Sequence, residues 1–169
     1  PGLLLHIAAT VGLLVVLVRA LRRHGLFRTA GAWHLLLAYT WILLPVLVAP
    51  LILLGVAGIP GADIEATAPQ ALIYGWMLQF LYAVVPYVTA RWLLRDEQAR
   101  LGGNWLSLAT VNLGGVLIWA SIFVVDLRSP LHAVAYVLLG ISLLAAAWET
   151  GAITLAALRR AETSSLAPA

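Results

Sequence analysis

Five long apolar runs, at about residues 2–20, 32–57, 70–94, 105–126 and 131–158, alternate with four short polar or turn-rich segments. Those segments read LRRHGLFRTAG, GIPGADIEATAP, RDEQARLGGN and DLRSP. A helix needs roughly 20 apolar residues to cross the hydrocarbon core of a bilayer. A strand exposed to lipid would leave its backbone groups unpaired, so each run is read as an α-helix. The expected fold is all-α, a polytopic bundle of five transmembrane helices. It forms one domain over residues 1–160, followed by a short polar tail, 161–169, expected to be disordered.

Inside the runs, polar and small residues recur at helical spacing. In the third, Gly75, Gln79, Tyr82, Pro86 and Thr89 fall at intervals of four, three, four and three, which makes one stripe. Leu78, Leu81, Val85 and Val88 fall on the other side. The stripe is expected to face other helices, because an amide or a phenol in hydrocarbon needs a partner. Pro86 removes one backbone bond, so a kink is expected there. His34, Trp41 and Pro45 share a face of the second run, and Asn112, Gly115 and Trp119 a face of the fourth. Asn112 is mid-span and must be bonded. The stripe of Gln70, Gln79, Tyr82 and Asn112 reads either as helix-packing glue or as the lining of a site.

Composition fixes the solvent. Hydrophobic residues make up 63% of the 169 and charged residues 10%, against about 25% charged in a soluble domain. Mean hydropathy is +0.99. The chain starts at Pro1 rather than methionine and enters its first run without the charged lead of a secretory signal, so that run is read as a span. The absence of cysteine excludes disulfides, thiolate metal sites and covalently attached c-type haem.

All ten basic residues are arginines. Arg19, Arg22, Arg23, Arg28, Arg91, Arg95, Arg100, Arg159 and Arg160 flank one side of the spans, and Arg128 the other. The absence of lysine reads as arginine-biased codon usage in a GC-rich bacterial genome, hence a bacterial inner membrane, and nine of ten on one side predicts an external N-terminus and a cytoplasmic C-terminus. Trp33, Trp92 and Trp105 fall at expected cytoplasmic ends, as interfacial tryptophans do. The arginines form no patch of the kind that binds nucleic acid. The expected partners are lipid and other membrane subunits, or further copies of the chain.

Candidate chemistry rests on histidine. His6 and His132 fall at similar depth near the outer ends of the first and fifth spans, and His34 lies one turn inside the second. Were the first and fifth helices neighbours, His6 and His132 could ligate one b-type haem axially, as facing helices of a bundle do. His34 is a further candidate ligand, and Arg128 could meet a propionate. The competing reading makes each an interfacial or hydrogen-bonded residue. Glu149 reads as a boundary carboxylate paired with Arg91 or Arg19, or as a proton relay. No nucleotide-binding or hydrolase motif is present.

The segment FRTAGAWHLLLAYTWILLPVLVAPLILLG, an external loop, and a span opening QALIYGW and closing VVPYVTAR resemble the NnrS proteins and related haem-copper-oxidase-subunit-I-like membrane proteins over about residues 28–91. The resemblance implies a helical membrane fold, haem or copper binding, and a role in nitric oxide metabolism or respiratory electron transport. In that family the opening position of the second span is a histidine, and here it is Gln70. A relative without that ligand would serve as a haem-free accessory subunit of a larger respiratory or photosynthetic complex. A small transporter ranks below both readings, since five spans without a repeat do not divide into two halves.

Overall fold

A computed structural model describes residues 2–165. Five helical rods carry the chain: α1 (Gly2–Arg23), α2 (Ala30–Leu53), α3 (Gly61–Leu93), α4 (Trp105–Phe123) and α5 (Arg128–Ser165). All five are long and apolar enough to cross a membrane. Two expected boundaries move. The run GADIEATAP, read as loop, is the first helical stretch of α3, and the first part of the tail read as disordered continues α5 as helix through Ser165, while residues 166–169 of that tail lie outside the described residues. Hydropathy marks where lipid begins, and a helix can extend past that point.

Local chemistry sets the ends. α2 stops where Gly55 takes a left-handed conformation, φ 63°. The Gly55 N–H donates to the Ile52 carbonyl at 3.0 Å and the Val56 N–H to Leu51 at 3.1 Å, the paired bonds that close a helix C-terminus. Asn104 caps α4: its side chain accepts from the Ser107 N–H at 2.8 Å, while the Asn104 N–H donates to the Ser107 hydroxyl at 3.2 Å. Within α3, Pro69 withdraws one backbone donor, and the winding widens to a π-helix from Ala71 to Leu78.

α4 is the central helix. It packs on α5 along its length and also meets α2 and α3. The α5 face it buries is a stripe of Ala135, Leu139, Ser142 and Ala146, spaced four, three and four. Close approach needs small residues in lipid. A Cβ on Gly114 would stand 3.0 Å from the Ala135 carbonyl oxygen. α1 packs chiefly on α2, where Leu14, Leu17, Val18 and Leu21 meet Ala32 and Leu36.

Candidate functional site

The interior of the bundle is a polar seam. Trp41 of α2 donates its indole N–H to the Asn112 side-chain oxygen at 2.7 Å. The Asn112 amide donates to Gln79 at 3.0 Å and to the Leu108 carbonyl at 2.8 Å. The Gln79 amide in turn donates to the Gly75 carbonyl at 2.7 Å, inside the π segment. Three helices are thereby joined by side-chain amides. Two glycines make room for the indole: a Cβ on Gly75 would lie 2.5 Å from Trp41, and one on Gly115 2.9 Å. Gln79 is fully buried and Tyr82 is 5% exposed, whereas Leu81, Val85 and Val88 are exposed. The stripe on α3 therefore faces inward, as its spacing predicts.

The seam continues to the end of the bundle that holds the α3–α4 connection. His34 is fully buried, with Nε2 3.0 Å from the Ser107 hydroxyl and its ring edge-on to Tyr82. The Tyr82 hydroxyl lies 3.1 Å from Ser142 of α5. Leu101–Gly103, expected to be part of a polar connection, tucks into this end. Gly102 is buried against Pro86 and donates to the Ala83 carbonyl at 2.9 Å. Gly103, at φ 87°, abuts the His34 ring. Its N–H meets the Glu149 carboxylate at 3.0 and 3.2 Å. That carboxylate caps a loop, in place of the arginine pairing expected of it. The Gly-Gly pair was the one available signal, because backbone can approach that closely only where no Cβ intervenes.

At the opposite end, His132 Nε2 lies 2.8 Å from the Ser121 hydroxyl and its ring meets Tyr136. Arg128, expected to face a propionate, forms a 2.9 Å ion pair with Asp63 at the start of α3. His6 stands apart, exposed on α1. His6 and His132 share an end of the bundle but not a site, because α1 packs chiefly on α2, while α5 packs on α4 and α3. The premise that the first and fifth helices are neighbours is corrected by this order of packing. Gln70 also moves. It sits nine residues inside α3 rather than opening it, beside Trp41, Tyr74 and Trp119 around a narrow void.

His6 borders an apolar groove of about 710 Å³ between α1, α2 and α3. Thr10 of α1, Tyr39 and Pro45 of α2, and Leu72 and Trp76 of α3 also line it. The Trp76 indole N–H is buried without a hydrogen-bond partner. The volume lies within the range of small-molecule sites, about 300–1,000 Å³. No group of three or more histidine or carboxylate side chains able to hold a metal ion occurs among the described residues. No family model, curated protein or solved structure matches the chain.

Proposed function

We propose that this multi-pass protein of the bacterial inner membrane, N-terminus outside, binds a flat apolar cofactor, a b-type haem, in the groove between α1, α2 and α3. The observation that carries this reading is the His6 imidazole on the wall of an apolar groove flanked by Tyr39 and Trp76. Of the residues that line the groove, His6 would hold the group through an imidazole nitrogen. His132 and His34 spend a ring nitrogen on Ser121 and Ser107, and neither lines the groove. No guanidinium lines it. Haem would supply one-electron redox chemistry. Tyr39 and Trp76 would offer it aromatic contact, and the hydrocarbon side chains of the groove would keep water away. The resemblance of residues 28–91 to haem-associated oxidase-like proteins supports the same reading.

An absorption spectrum of the purified protein tests it. The expected result is a Soret band that weakens or shifts in His6→Ala and persists in His132→Ala. A colourless protein that takes up no added haemin contradicts it.

A second reading is an accessory transmembrane subunit of a larger respiratory complex. One observation favours it: α1 leaves most of its surface uncovered, with Leu4, Leu5 and Val16 all more than 60% exposed. Under this reading the groove receives a partner's helix. Co-purification with a larger complex in mild detergent would support it, and a monodisperse preparation with no partner would count against it.

A further inference from the structure

A surface recess lies at the other end of α1. It measures about 540 Å³ and is lined by Val16, Arg19, Ala20, Arg22, Arg23 and His24, all of them on α1 or the residue that follows it. Arg19, Arg22 and Arg23 stand three and four residues apart, so their side chains share one side of the helix. Like charges at that spacing repel each other. No carboxylate lines the hollow to offset them, and all three arginines are exposed. Arg22 is steadied by Phe27, its guanidinium 5.7 Å from the centre of the ring.

Depth identifies the medium. The 22 residues of α1 rise ~33 Å, about the thickness of the hydrocarbon core, so its last turn lies at head-group level. Below the arginines, Val16 continues the recess into the apolar surface of α1, where Leu13 and Val15 are also exposed. A charged rim above a hydrocarbon wall matches a molecule with an anionic head and acyl chains.

We propose that this hollow is a binding site for an anionic phospholipid, its phosphodiester held by Arg19, Arg22 and Arg23 and its chains lying along α1. Guanidinium forks suit phosphate oxygens, which accept two parallel hydrogen bonds from each. Topology alone asks only for positive charge near a span. It does not ask for three arginines on one side of a helix around a hollow. The site is separate from the groove at His6, and the proposal stands or falls independently of any cofactor there.

Native mass spectrometry of the intact protein, with phosphatidylglycerol or phosphatidylcholine added in detergent, tests the proposal. Both lipids carry the phosphodiester, but the choline cation cancels its charge in phosphatidylcholine; at roughly fivefold per arginine for a net negative head group, the wild type should favour phosphatidylglycerol by about a hundredfold. The variant carrying Arg19→Gln, Arg22→Gln and Arg23→Gln should lose that preference. A variant with Arg159→Gln and Arg160→Gln, which removes charge elsewhere at the same end, should keep it. Equal retention of the two lipids by the wild type, a measurement that needs no variant, overturns the proposal. Loss of preference in the Arg159/Arg160 variant equal to that in the triple variant also overturns it, because bulk charge would then suffice. Displacement of the lipid by equimolar glycerol 3-phosphate overturns the assignment to a lipid.

Discussion

α4 and α1 are both apolar helices of similar length, yet 56% of the span of α4 is buried within the chain and 6% of that of α1. Hydrophobicity does not separate them, because α1 is the more hydropathic of the two. The difference lies in what their small and polar residues touch. Gly114 and Gly115 of α4 let the Ala135 backbone and the Trp41 ring come within contact, and Asn112 bonds α2 and α3. Gly12 of α1 has nothing within 4 Å of its Cβ position. In lipid, aliphatic side chains gain little by leaving one hydrocarbon surface for another, so association follows close packing and polar bonds. α1 has few such links and keeps a groove beside it.

The largest test of this contrast places the same bulk against the Trp41 ring, on which α3 and α4 both close, and on α1. Gly75→Leu must displace Trp41, and overpacking of this kind costs about 1–3 kcal/mol or more. Unfolding in mixed micelles, followed by tryptophan fluorescence, should show that loss. Next in size is Asn112→Leu, which strands the Trp41 indole and the Gln79 amide. Interhelical bonds in membranes contribute about 1–2 kcal/mol, and the same unfolding assay should register a loss of that order. Smaller still is Asp63→Asn. Its ion pair with Arg128 is partly exposed, so the loss should stay under about 1 kcal/mol and shrink as salt rises. Smallest is Gly12→Leu, expected to change stability by less than about 0.5 kcal/mol. Equal losses from Gly75→Leu and Gly12→Leu would erase the distinction between the two regions.

Much of this was legible in residue spacing. Gly75, Gln79, Tyr82 and Pro86 recur at helical intervals and are all buried, and Asn112 has the bonds that a mid-span amide demands. The order of helices was not legible. Hydropathy reports the solvent around a rod and says nothing of which rod lies beside it, so equal depth of His6 and His132 did not make them neighbours. Two further features lay outside side-chain periodicity. α3 begins at Gly61 because a helix can run through polar residues and past Pro69 by widening its turn. Gly103 meets Glu149 through a backbone N–H, a group every non-proline residue carries and no pattern marks.

The account depends most on α3 turning its amide and phenol away from lipid. Photolabelling the wild-type protein with a diazirine-bearing phospholipid, with sites mapped by mass spectrometry, reads that directly. The expected pattern is label on Leu81, Val85 and Val88 and none on Gln79, Tyr82 or Ala83, which are 5% exposed or less. Label on Gln79 and Tyr82 as heavy as on Leu81 and Val85 would contradict it.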